Sequence, residues 1–364
     1  MKYLRKYSQK IQDALSKINM KYLHPGKLNK LPDDLIIELS SRCTLACKCC
    51  PNGASGIRTR PRCDLGTDTF KQICEHIDLP IRNVFLHLHG EPFLNKDICD
   101  IITMLKKRGV TSFNIFSNGY LIDTVLLKRV IEQLNGCDFN ICFSAEIYDC
   151  DTYERIRYPG KWNKIWQSLE AIDATMGELD CSYSINAIIV PQKIKDFSTT
   201  IPCVFQRLKH LKKIHLSSAF PWPSLSETGD LAGRLNKRRM ICKQITRLPV
   251  ILSNGEVIMC DSDYNGNSVI GSLKEEPLSK LVNNTKARKF RHNIIMRQAV
   301  KNNPCCDCLL DRYISFSRTV RRTFIEKASE EVIENYFHKF YSHFIAEYAS
   351  ESHENTEKNN TLPI

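Results

Sequence analysis

The chain has 364 residues, 42% of them hydrophobic, enough to bury a sizeable core in about two domains. No stretch approaches the roughly 20 apolar residues of a membrane span, and no apolar segment follows the basic start Met1-Lys-Tyr-Leu-Arg-Lys, so a cytoplasmic protein is expected. The net charge of +12 comes from scattered Lys and Arg, densest at Arg234 to Arg239, without the aromatic-interleaved basic face that nucleic acid requires; a solvated surface, an acidic electron donor or a phosphorylated substrate are the readings left.

Residues 1–33 form a basic, loosely amphipathic segment in which Tyr3, Leu4, Tyr7, Ile11, Leu15 and Ile18 recur at helical spacing. Such a helix packs on a domain or lies on a membrane surface. Residues 34–218 then repeat strand and helix. Strands are expected at 35–39, 83–88, 112–117, 139–144, 182–190 and 213–218, with helical periodicity at 67–78, 96–108, 121–134, 162–175 and 195–209. Alternating βα units give a parallel sheet with helices outside.

The chain carries 17 cysteines. In a cytosolic-looking sequence they point to metal or redox use rather than disulfides. Cys43, Cys47 and Cys50 follow the first strand with the spacing C-x3-C-x2-C. Iron–sulfur clusters usually take four cysteines, so three on one loop leave one iron of a four-iron cube open; a zinc knuckle is the alternative. Cys49 reads as a small buried hydrophobe that competes with Cys50 for the ligand assignment.

Later strand ends carry polar residues in the same places: Leu86-His-Leu-His-Gly-Glu-Pro-Phe93, Ser117-Asn-Gly-Tyr-Leu121 and Phe143-Ser-Ala-Glu146, the last followed by Thr152-Tyr-Glu-Arg-Ile-Arg157. His87 and His89 alternate on one strand face, where local hydrogen bonding and metal binding are both open.

With the cysteine triplet, these segments resemble the radical S-adenosylmethionine (SAM) superfamily. The resemblance implies an α/β fold, an open, partial (β/α)6 barrel, with SAM on the open iron. It implies that Gly90 and Glu91 meet the SAM amino group and that Ser117 and Asn118 flank its pocket. Ser144 is expected at the ribose or carboxylate and Arg157 at the methionine carboxylate, where a guanidinium fits bidentately. Three positions depart from the family pattern: His89 replaces a glycine, Cys49 an aromatic residue, and Glu146 stands where Asp is frequent.

Residues 219–241 break the periodicity with Pro221-Trp-Pro223 and read as a linker. Cys242, Cys260, Cys305 and Cys308 follow in the segment 242–312, with Cys306 as the alternative to Cys305. Asn254-Gly255 between apolar runs signals a hairpin, and 276–290 is helix-like. Four thiolates complete a second [4Fe–4S] cluster, or a structural zinc site. This arrangement resembles the SPASM/twitch extension of radical SAM enzymes, in the single-cluster twitch form, with the spacing of the 2-deoxy-scyllo-inosamine dehydrogenase type. Residues 313–350 are expected as helices and 351–364 as a disordered tail.

The resemblance therefore implies an oxidoreductase that cleaves SAM reductively and oxidises a C–H of a sugar or aminocyclitol, with the second cluster as electron acceptor. Its implied electron donor is reduced ferredoxin or flavodoxin. The alternative is a peptide maturase, for which the segment before the barrel is too short to hold a winged-helix leader-binding domain.

Overall fold

The computed structural model describes residues 25–53, 57–190, 193, 196–217, 248–296, 317–339 and 342. The N-terminal segment to residue 24, the linker, Cys242, Cys305, Cys306, Cys308 and the tail lie outside the described residues.

Six parallel strands form the frame: β1 (Asp34–Ile37), β2 (Asn83–Leu86), β3 (Ser112–Ser117), β4 (Asp138–Ser144), β5 (Tyr183–Ile188) and β6 (Leu211–Ser217). Between them run α1 (Thr67–Cys74), α2 (Ile98–Lys107), α3 (Thr124–Gln133), α4 (Cys150–Ile156), α5 (Trp162–Glu178) and α6 (Phe197–Arg207). Strand side chains alternate. Leu35, Ile37, Val84, Leu86, Phe113, Ile115, Ile141, Phe143, Ile185 and Leu216 join the main core with helix residues such as Phe70, Ile101, Leu127 and Leu169. Among the described residues the sheet does not close into a full barrel; the six strands lie in the order β6-β5-β4-β3-β2-β1, with further strands at both edges.

The opposite sheet face mixes Ile36, Phe85, Phe116 and Cys142 with polar residues. Asn83, Asn114 and Asn140 stand one to a strand, while Ser184 and Asn186 follow on β5. Asn114 Nδ2 donates to Asn83 Oδ1 at 2.8 Å, Ser184 Oγ to Asn140 Oδ1 at 3.2 Å, and Ser217 Oγ to Asn186 Oδ1 at 3.0 Å. An apolar core residue at each of these sites would have joined a second packed layer; asparagine keeps the inner face wettable.

The C-terminal region extends this sheet. Strand β7 (Val250–Ile251) pairs in parallel with β1, and β8 (Glu256–Ile258) and β9 (Val269–Ser272) continue antiparallel. Gly255 turns the β7–β8 hairpin at φ +90°, a conformation that favours glycine. Helices α7 (Leu278–Leu281) and α8 (Thr285–Ile295) follow, α8 capped by Asn284, whose side chain accepts from the Ala287 amide.

One expectation is corrected. Residues 313–350 were expected as helices, but Ser317–Arg321 is a strand, β10, antiparallel to β6. Val320 is buried between exposed Thr319 and Arg321, the alternation of an edge strand. Helix α9 (Arg322–Lys327) comes next, and 330–339 is helical.

Candidate active site

The cysteine loop leaves the carboxyl end of β1 and is fastened on two sides. On one, the Ala46 amide donates to Tyr158 O at 2.6 Å and the Lys48 amide to Ile156 O at 3.2 Å, so the loop lies across the end of α4. On the other, Ser40 Oγ and Arg42 both donate to Asp64. Gly53 closes the loop, because a Cβ there would stand 2.2 Å from the Ala46 carbonyl carbon. Cys49 and Cys47 pack with Leu45, Ile156, Ile188 and Val190 in a small apolar cluster that Cys43 and Cys50 border.

Polar groups stand near the three sulfurs of Cys43, Cys47 and Cys50. Cys43 Sγ accepts from the Leu45 amide at 3.5 Å and from Asn118 Nδ2 at 3.4 Å. The Arg157 guanidinium stands near Cys47, where its charge favours the thiolate, and the Asn52 amide favours that of Cys50. Burial pushes the Cys43 thiol up to about 11 and Cys50 up to about 12, and raises Cys47 as well. A neutral thiol is a weak acceptor, so two donors on Cys43 and a guanidinium charge near Cys47 suit thiolate ligands of a cationic core. The donor set fits an iron–sulfur cluster. No three His, Cys, Asp or Glu side chains among the described residues draw together around a single ion, whereas a four-iron cube holds its thiolates apart on separate corners.

The other expected residues come to the same end of the sheet. The buried Glu91 carboxylate accepts from the Phe93 amide at 3.1 Å and the Asn118 amide at 2.7 Å. Burial raises its pKa to about 7, against the lowering by these amides and the Ser117 hydroxyl. Such a carboxylate, with neutral donors on it, is suited to an ammonium partner. Glu91 thereby ties the end of β2 to the end of β3, and its own amide donates to Arg42 O at 2.7 Å. Gly90 was expected to let backbone approach a ligand; in the structure its Cα faces the Ser40 carbonyl, where a Cβ would sit 2.0 Å from the oxygen. Its smallness seats the cysteine loop on β2. Ser117 Oγ accepts from the Gly119 amide at 3.0 Å, and Ser144 is half-buried at the end of β4.

Arg157 is placed differently from the expectation of a carboxylate ligand. Its Nε and Nη2 donate to the two oxygens of Glu146, each at 2.8 Å. Both residues are buried, and Glu146 Oε1 also accepts from the Ile188 amide at 3.2 Å. His87 lies between Phe85 and Phe116, with burial lowering it to about 4. Burial lowers His89 to about 3; it sits beside Glu38 and the Asp261 backbone.

Sequence reasoning missed a junction between the two cysteine regions. Arg60 donates from Nη1 and Nη2 to Glu38 at 2.7 and 2.6 Å, and Ser253 Oγ donates to the same carboxylate at 3.0 Å. Asn265 Nδ2 donates to Ile57 O at 3.0 Å and its Oδ1 accepts from the Thr59 amide at 2.8 Å. The loop carrying Cys260 is thus laced to the segment after the first cysteines. Cys260 is buried, and its sulfur accepts from the Ser262 amide at 3.4 Å. The signal available beforehand was Glu38, a charge inside an apolar strand.

Comparison with known proteins agrees with this arrangement. Residues 37–200 match the radical SAM superfamily, and residues 242–309 match SPASM, an iron–sulfur cluster-binding domain. The chain is 30% identical to PqqA peptide cyclase of Granulibacter bethesdensis over 129 residues, 34% of this chain and 32% of that protein. It spans between 26% and 57% of the length of the curated relatives it matches. Among solved structures, anSMEcpe with bound AdoMet superposes with a TM-score of 0.53 at 12% identity, covering 89% of this chain and 96% of that one. BtrN in complex with AdoMet and 2-DOIA gives 0.49 at 17% identity, covering 73% and 88%. The dehydrogenase type is therefore not singled out among the neighbours. Residues 37–200 therefore form a radical SAM domain, of the kind that uses a [4Fe–4S] cluster and SAM, followed by a SPASM iron–sulfur cluster-binding domain at residues 242–309.

Proposed function

We propose that Cys43, Cys47 and Cys50 hold a [4Fe–4S] cluster with one iron left for SAM, and that the chain takes hydrogen from a small polar substrate of the sugar or aminocyclitol type. When bound, these cofactors supply a 5′-deoxyadenosyl radical by reductive cleavage, and a second cluster on Cys242, Cys260, Cys305 and Cys308 supplies an electron acceptor. In this reading the Glu91 carboxylate receives the SAM ammonium, while Gly90, Ser117, Asn118 and Ser144 shape the pocket around it. Reduced ferredoxin or flavodoxin is the proposed donor.

The observation that carries the substrate class is the inner sheet face. Asn83, Asn114, Asn140, Ser184 and Asn186 line the side away from the helices, several of them half-buried. An apolar substrate there would strip amides of solvent without replacing their hydrogen bonds. A hydroxylated ring offers donors and acceptors all round.

A second reading has support of its own. PqqA peptide cyclase is by its name a peptide-modifying relative, and anSMEcpe has also been solved with the Cp18Cys peptide. An amide-lined face suits a peptide backbone as well.

The test is hydrogen transfer. Under anaerobic reduction, deuterated sugars and aminocyclitols on one side and deuterated peptides on the other are offered, and deuterium in 5′-deoxyadenosine is read by mass spectrometry. The expected result is transfer from a polyol, lowered at least tenfold by Asn114→Leu or Asn186→Leu while unproductive SAM cleavage persists. Transfer from peptides and from no polyol refutes the small-molecule reading.

A further inference from the structure

Arg157 leaves the end of α4 beneath the cysteine loop. The flanking carbonyls of Ile156 and Tyr158 hold the amides of Lys48 and Ala46, which flank Cys47 at one residue's distance. These two bonds set Cys47 directly opposite Arg157, with the guanidinium charge near the buried sulfur. Arg157 is 8% exposed, and the Glu146 carboxylate behind it is 0% exposed. With Nε and Nη2 spent on that carboxylate at 2.8 Å each, the guanidinium has a single orientation.

We infer that Arg157 is a fixed cation held against Cys47 that raises the reduction potential of the cluster on Cys43, Cys47 and Cys50, rather than a ligand of the SAM carboxylate. Reduction adds negative charge to a cluster. A neighbouring cation stabilises the reduced form, and burial prevents water and salt from screening it. Donors on a ligand sulfur act in the same direction. Guanidinium stays charged at every working pH, so the effect is permanent. The Glu146 carboxylate, bound to Nε and Nη2, is the opposing charge of the pair. The carboxylate's role is positional: it holds the fork near the sulfur and satisfies the buried charge.

The inference rests on the reading of these three cysteines as cluster ligands, and the experiment separates the two. Wild type, Arg157→Lys and the double variant Glu146→Leu/Arg157→Met are reconstituted. The double variant removes both charges together, so neither is left buried alone. Iron and sulfide are quantified first. The midpoint of the SAM-responsive cluster is then measured by potentiometric titration with electron paramagnetic resonance, and the SAM Kd by equilibrium dialysis. The expected result is full cluster content in all three, a lower midpoint in the double variant, restoration towards wild type by lysine, and a SAM Kd unchanged within twofold. An unmoved midpoint in a cluster-replete double variant overturns the inference. So does a SAM affinity weakened tenfold or more with the midpoint unmoved, which is the behaviour of a carboxylate ligand. Wild-type protein without a SAM-responsive cluster overturns the ligand reading, and the inference with it.

Discussion

Arg60→Leu tests whether the two cysteine regions are locked by a buried ion pair. The Arg60 and Glu38 side chains are 6% and 0% exposed. Removing one partner of a buried pair costs about 3–5 kcal/mol, because the remaining charge is stranded. Ser253 still donates to Glu38 from its amide at 3.3 Å and its hydroxyl at 3.0 Å, which puts the expectation near the lower end, about 3 kcal/mol. For a domain of this size that is a fall in Tm of roughly 6–12 °C. The pH dependence gives a second reading. In the wild type, burial pushes the Glu38 carboxyl up, but Arg60, with His89 and Ser253, overturns this and leaves it lowered. A lowered carboxyl contributes stability above its unfolded pKa of about 4.3, lost as pH falls through the folded value. Without Arg60, burial prevails and the folded pKa rises above the unfolded one. The sign then reverses: the unfolded chain gives up the proton more readily, so the deficit is largest at high pH and shrinks as pH falls. Urea unfolding at pH 8 and pH 5.5 measures both quantities. Adding Glu38→Gln to the variant removes the stranded charge and is expected to recover more than half of the loss. A deficit below about 1 kcal/mol, the level of an exposed pair, or one equal at both pH values, refutes the reasoning.

Three further outcomes are expected. With two clusters the reconstituted protein holds about eight irons, and replacing Cys43, Cys47 and Cys50 together by alanine leaves about four by iron analysis; zinc without labile sulfide contradicts this. Glu91→Ala, which removes the anion proposed for the SAM ammonium, weakens SAM binding by at least tenfold in equilibrium dialysis, and wild-type affinity removes Glu91 from the site. Cys260→Ala, in protein that stays folded by circular dichroism, yields 5′-deoxyadenosine and takes substrate hydrogen but forms little oxidised product; normal product from protein lacking the second cluster excludes electron acceptance as its task.

The strands and helices of the barrel were legible because each obeys one period. Phe113, Ile115 and Ser117 alternate with Ser112, Asn114 and Phe116, and α3 repeats its apolar residues every three or four positions. The inner asparagines follow the same alternation but were not singled out beforehand, because Phe85, Phe116 and Cys142 share their face. Strand β10 was not legible, since Ser-Arg-Thr-Val-Arg offers one apolar residue and gains its conformation by pairing with β6. Nor was the β1–β7 pairing, which joins Ile36 to Val250 across most of the chain and leaves no local mark. Gly90 was read in the right place for a different reason: the neighbour that excludes a Cβ is the Ser40 carbonyl.

The same physics explains why the strongest departures from local rules collect around one loop. Glu38, Glu91, Glu146 and Arg157 are all buried, and each is held by hydrogen bonds to a different strand end or loop. A charge in such a place is stable only while all its partners stay fixed. Glu91 needs the ends of β2 and β3 together, Glu146 and Arg157 need α4 under the loop, and Glu38 needs Arg60 and Ser253. Moving the cysteine loop by one hydrogen-bond length would strand a buried charge on at least one side. The fold itself therefore sets the donors on Cys43 and the charge near Cys47. Electrostatic preorganisation of this kind costs stability at each buried charge and returns a constant field at the cysteine loop. That the Cys260 loop hangs from Glu38, on the strand that carries the first cysteines, places both iron–sulfur regions on one rigid support.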